Sequence, residues 1–212
     1  MPGRMPGRKA GWELAVGYGL LQAALWSEGD LRWVWAVAVA LWMIGTTLYQ
    51  RPSLRELGLG GAGFARSLWS VGAAAALGAA MLLAGRWAGT LHVYGQPRHL
   101  LVIAAGYLLW TLQQQFMLQS FFFLRLERLL GAPRAVWAAA GLFALAHFPN
   151  PVLLPATAVA GLAFCELFRR YRNIYTLAIA QAVLGMCLAA SVPDALHHHM
   201  RVGIGYLGWI AR

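Results

Sequence analysis

The sequence predicts an all-α, polytopic bundle of about seven membrane-spanning helices. Three observations carry this. Of the 212 residues, 60% are hydrophobic and only 11% are charged, where soluble domains run nearer a quarter charged. The apolar residues fall in runs close to spanning length. The arginines gather between those runs. In a soluble chain the net charge of +10 would point to nucleic acid. Here it points to basic loops against anionic lipid headgroups, so no nucleic-acid partner is expected.

A spanning helix needs roughly 20 mostly apolar residues. Runs of this kind lie near 12–27, 31–50, 67–85, 100–124, 134–148, 152–169 and 173–192. The first, fifth and sixth are short or flanked by Gly and Pro. With the N-terminus inside, twelve basic residues fall on the inner side (Arg4, Arg8, Lys9, Arg51, Arg55, Arg66, Arg125, Arg128, Arg134, Arg169, Arg170, Arg172) and five outside (Arg32, Arg86, Arg98, Arg201, Arg212). That asymmetry fits the positive-inside rule with seven spans, N-in and C-out. Trp12, Trp26, Trp33 and Trp69 lie near proposed span ends, as interfacial aromatics do. No repeat or low-complexity linker divides the chain. Residues 1–99 supply about three spans, 100–192 a four-span core and 193–212 a histidine-containing tail, all in one membrane domain.

The N-terminus repeats Met-Pro-Gly-Arg, which makes Met5 an alternative start to Met1. The run from Trp12 to Trp26 has basic flanks like a signal peptide. It lacks a small-residue cleavage site and reads as a retained helix. Cys165 and Cys187 fall inside apolar runs without metal-type spacing and read as buried thiols.

Polar side chains within a bilayer are costly and therefore informative. The fourth span holds Gln113, Gln114, Gln115 and Gln119. Gln115 and Gln119 are four apart and share a face. Hydrogen bonding between helices is the plainer account of such amides. His147 ends the fifth span and Gln181 lies within the seventh. At ~1.5 Å per residue, Gln114 sits about 15 Å above the inner end of its span, Gln181 about 12 Å and His147 roughly 20 Å. The three fall within about one and a half turns in depth and are candidates to line one cavity.

At these residues the sequence resembles the CAAX-protease and bacteriocin-processing family of intramembrane proteases. The resemblance covers about Gly106 to Leu188. Phe143-Ala-Leu-Ala-His147 fits the family's Phe-x-x-x-His motif. Gln114 and Gln115 stand where the family has paired glutamates, Gln119 where it has arginine, Gln181 at its second histidine and Gly185 at its asparagine. The stretch from Pro193 to Tyr206 is similar to the tail of a sub-branch. The resemblance implies a multi-pass protein of the cell membrane, in bacteria the inner membrane. It also implies a membrane-embedded or lipidated peptide as substrate, with His147, Gln114, Gln115 and Gln181 at the catalytic positions and Gln119 and Phe143 in support.

Glutamine keeps the shape of glutamate but cannot accept the proton a general base must take. Only His147 remains as a base, with the amides as oxyanion donors. One imidazole among neutral amides makes a poor zinc site, so no metal or cofactor is expected. Glu166 is a candidate relocated base, but Arg169 and Arg170 lie three and four residues on, so an ion pair is the simpler reading. Asp194 with His197 or His198 has the spacing for two ligands on one helix face. A surface cluster is the simpler reading of His197, His198 and His199, and Gly203 and Gly205 argue against a long helix there. Three functions stay open: a divergent intramembrane endopeptidase, an inactive pseudoprotease that binds or escorts a membrane partner, and a small transporter or channel subunit.

Overall fold

The computed structural model describes residues 7–92 and 99–210, and all the helices and turns below belong to these. The N-terminal repeat with Met1, Met5 and Arg4, together with Arg98 and Arg212, lies outside them. The helices are α1 Gly7–Trp26, α2 Gly29–Tyr49, α3 Phe64–Ser67, α4 Trp69–Trp87, α5 Leu100–Gln115, α6 Leu124–Leu130, α7 Ala132–Leu145, α8 Leu153–Tyr171, α9 Tyr175–Ser191, α10 Asp194–His197 and α11 Ile204–Ile210. A π-helical segment, Phe116–Phe123, joins α5 to α6. No strand occurs among the described residues.

Each of the seven apolar runs forms a helix. Three are long and apolar enough to cross a membrane: Gly29–Tyr49, Trp69–Trp87 and the continuous Leu101–Leu130. The apolar helices α7 and α9 are shorter, at 14 and 17 residues. Helices α1 and α8 are of spanning length but carry charge along them, Lys9 and Glu13 in one and Glu166, Arg169 and Arg170 in the other.

The seven run alternately between two ends of the bundle. One end is a floor. There the loop from Arg51 to Gly63 passes beneath the α8–α9 turn. Ile174 N–H donates to the Gly58 carbonyl (3.0 Å), Asn173 Nδ2 to Gly60 (3.2 Å) and Tyr175 Oη to Leu59 (3.2 Å). Gly63 is required in this seam, because a Cβ would strike the Tyr171 carbonyl. At the other end α4 finishes against α9, where Thr90 Oγ1 donates to the Ser191 carbonyl (2.6 Å), and the C-terminal tail folds over α1 and the α7–α8 turn.

The helices form two layers. Helix α9 packs between α4 and α5, while α1 packs on α2 and α6, and α7 on α8 and α6. The π segment bridges the layers, touching α2, α7 and α8. Its aromatic residues build the core: Phe121 and Phe123 are fully buried, Phe121 meets Phe122 edge-on at 5.0 Å and Phe123 meets Phe168 at 5.7 Å. Such pairs add to the area they bury. Ser120 Oγ ties the segment to the floor through the Leu57 carbonyl (2.7 Å).

Two sequence expectations change. The fourth span was expected to end at 124, leaving Arg125 in a loop. The helix instead continues to Leu130 and ends at Gly131, whose φ of 78° suits glycine. Arg125 is buried: its Nε bonds Glu13 (2.8 Å), its Nη2 reaches Thr46 (3.1 Å) and its guanidinium lies 3.9 Å from the Phe121 ring. A charge is tolerated inside because it is paired and hydrogen-bonded. The histidine tail is the second. His197 is fully buried, not on the surface. Its Nε2–H donates to the Val192 carbonyl (3.0 Å) and its Nδ1 accepts from Met200 N–H (3.2 Å). Buried Asn150 donates to the carbonyls of His197 and Arg201, both at 2.9 Å, and caps α8 through Leu153 N–H (2.9 Å). His198, His199 and Met200 then take left-handed conformations, and no long helix forms.

Candidate functional site

Between the layers lies a cavity of about 1300 Å³. Its lining comes from the tail-end halves of the helices: residues within 77–82 of α4, 103–114 of α5, 153–164 of α8 and 181–190 of α9, with Phe143 from α7 and His147 from the turn after it. The floor and the π segment lie beyond its inner limit. Gln114, His147 and Gln181 all line it.

The amides form a chain. Gln119 Nε2 donates to Gln115 Oε1 (3.1 Å), Gln115 Nε2 to Gln181 Oε1 (2.7 Å) and Gln181 Nε2 to Gln114 Oε1. Gln115 and Gln119 are fully buried behind the wall. Gln113 points away and is exposed. The two motif positions on α5 therefore differ in role. Gln114 ends the chain at the cavity, and Gln115 holds α5 to α9. Thr111 reinforces that contact by donating to the Ala178 carbonyl (2.9 Å). Two of the three links join α5 to α9, and breaking the Gln115–Gln119 link strands a buried polar group.

His147 sits one turn beyond Phe143 and takes its carbonyl at Nδ1 (2.7 Å), with the Phe143 ring edge-on at 4.8 Å. A carbonyl only accepts, so the ring proton is on Nδ1 and the Nε2 lone pair is left as an acceptor. Glu166 is not part of the cavity. It is held by Arg169 (2.7 Å) and Arg170 on its own helix. Among the described residues no group of three or more His, Cys, Asp or Glu side chains is placed to hold a metal ion. Both cysteines are free thiols.

Sequence reasoning missed two cavity residues. Tyr107 fills the place beside Gly185: a side chain at 185 would run into its ring and hydroxyl. Its signal was the seven-residue spacing to Gln114, which puts both on one helix face. His92 follows α4 in a loop outside the resemblance. It is fixed by Nδ1 to the Thr90 carbonyl (3.0 Å) and by its N–H to Ala190 (3.0 Å). Nothing local in the sequence marks it.

An all-helical membrane protein with a polar patch in an apolar inter-layer cavity is the class that fold and site define. Residues 96–187 match the family described as type II CAAX prenyl endopeptidase Rce1-like, a stretch carrying every motif position named above. Over that stretch the chain is similar to the CAAX-protease and bacteriocin-processing family. No curated protein and no solved structure matches the chain.

Proposed function

We propose that the protein is a multi-pass, CAAX-protease-type intramembrane endopeptidase acting on a membrane-anchored or lipidated peptide. The observation that carries this is a single cavity lined by both His147, with Nε2 left as an acceptor, and Gln114. In this reading His147 takes a proton from water as it attacks the peptide carbonyl, and Gln114 donates to the developing oxyanion. Gln181 and Gln115 orient Gln114. Seven crossings with the N-terminus inside agree with the alternation of the helices. The floor end carries Arg51, Arg55, Arg66, Arg134, Arg169, Arg170 and Arg172, while Arg32, Arg86 and Arg201 lie toward the tail end. That asymmetry supports a reading in which the floor lies in the cytoplasm of a bacterial cell and the cavity toward the outer leaflet.

A second reading, a pseudoprotease that captures the peptide without hydrolysis, is favoured by the absence of Asp and Glu among the cavity's described lining residues. Purified protein in liposomes containing a co-reconstituted membrane peptide separates the two. The first predicts cleavage, lost in His147→Ala. The second predicts peptide capture without cleavage, altered in Gln114→Glu. Cleavage that survives His147→Ala contradicts the site assignment.

A further inference from the structure

The cavity is lined mainly by apolar side chains, yet the charge around its mouth is of one sign. Arg32 from the first turn of α2 and Arg201 from the tail both face it, and among the described lining residues none is acidic. Arg201 is backed by the Trp209 ring at 4.8 Å, a contact that leaves its charge uncompensated. Neither arginine makes an ion pair among the described residues. Glu28 and Asp30, four and two residues before Arg32, form no ion pair with it among the described residues. Asp194, the carboxylate on the tail, is engaged by His199 through Nδ1 (3.1 Å) and the backbone N–H (2.7 Å).

His92 supplies a second, independent observation. With Nδ1 donating to the Thr90 carbonyl, its Nε2 is a bare lone pair. That atom is buried, belongs to a residue facing the cavity and has no hydrogen-bond partner among the described residues. Leaving such an atom unpaired is unfavourable, so a ligand that donates a hydrogen bond fits beside it.

We propose that the cavity binds a phospholipid with a net anionic, hydroxyl-bearing headgroup, taken from the surrounding membrane. Its phosphate lies between Arg32 and Arg201, a headgroup hydroxyl donates to His92 Nε2, and an acyl chain runs inward along Leu77, Met81 and Leu184. The volume exceeds the range of ordinary small-molecule pockets, and an acyl chain satisfies the apolar wall in a way a free anion does not. This rests on reading the cavity as the ligand-binding site. It adds that a bound lipid occupies the space a lipidated peptide must enter.

Native mass spectrometry of the delipidated full chain in neutral detergent tests it, with phosphatidylglycerol, phosphatidylcholine, oleate and inorganic phosphate titrated separately. The expected result is one retained phosphatidylglycerol per protein, bound at least tenfold more tightly than phosphatidylcholine. Arg32→Gln with Arg201→Gln should weaken it about thirtyfold, at about 1 kcal/mol per cation. Arg86→Gln, exposed at the same end but outside the cavity, should leave it unchanged. Ala160→Trp, which fills the cavity without altering charge, should abolish it, with unfolding temperature reporting that each variant is folded. Equal binding of the two phospholipids overturns the proposal. So does equal weakening by Arg86→Gln, which would mean diffuse surface charge, or equally tight binding of oleate or phosphate. The readout is binding, so its failure with His147-dependent cleavage intact removes only the lipid. Its success with cleavage absent removes only the endopeptidase.

Discussion

Replacing Glu13 with alanine strands Arg125, whose side chain is 2% exposed. Its remaining contacts are neutral: the Phe121 carbonyl (3.2 Å), the Thr46 hydroxyl (3.1 Å) and Thr47 at 3.4 Å. Gln50, which donates to Glu13 and accepts from Arg128, loses its acceptor as well. Breaking a buried pair from one side costs about 3–5 kcal/mol, while replacing both partners with apolar residues is often neutral. At roughly 2–4 °C per kcal/mol for a chain of this size, Glu13→Ala should lower the unfolding temperature by about 10 °C. Glu13→Leu with Arg125→Met should stay within a few degrees of the parent. The assay is thermal unfolding in mild detergent, followed by circular dichroism. A fall as large in the double variant as in the single one would refute the reasoning, because shape and not charge would then hold α1 to α6.

Three further outcomes are expected. Asn150→Ala leaves two carbonyls and two amides without their partner at about 1–3 kcal/mol for each group left unsatisfied, so hydrogen exchange over 193–205 should rise; unchanged exchange there would show that the tail is held otherwise. Gly63→Ala drives a Cβ into the Tyr171 carbonyl and should cost about 1–3 kcal/mol or more, whereas Gly11→Ala, inside α1 with open space around it, should not destabilise; equal unfolding temperatures would place the floor seam elsewhere. In the loop, the Ser53 backbone N–H (2.8 Å) and hydroxyl (3.0 Å), with the Arg128 and Arg172 charges, hold the Glu56 carboxyl below its ordinary 4.5. A lowered carboxylate stabilises above that ordinary value and loses its contribution as pH falls through the folded one. Glu56→Gln should therefore lower the unfolding temperature slightly at neutral pH and converge with the parent in acid, and parallel curves would contradict this.

The helices were legible because an apolar run of spanning length has few other fates. That Gln114, His147 and Gln181 line one cavity was legible because a helix converts residue number into height. Partners distant in sequence were not. Arg125 looked like a loop arginine because Glu13 lies 112 residues away, and His197 looked exposed because Asn150, which fixes the tail, belongs to another turn. The π segment carries no pattern that separates it from the α-helix around it. Tyr107 and Gly185 make sense only as a pair across two helices, and His92 only once α4 is seen to end against α9.

The central proposal is that Gln114 and Gln181, which line the cavity with His147, stand where the family has proton-accepting groups. Gln114→Glu combined with Gln181→His returns those groups to the cavity wall. Cleavage of a reconstituted membrane peptide should then rise by about 10²–10⁴ over the unmodified protein, the usual range for a positioned acid–base group, and should vanish when His147→Ala is added. A folded double variant that cleaves no faster than the parent would contradict the claim.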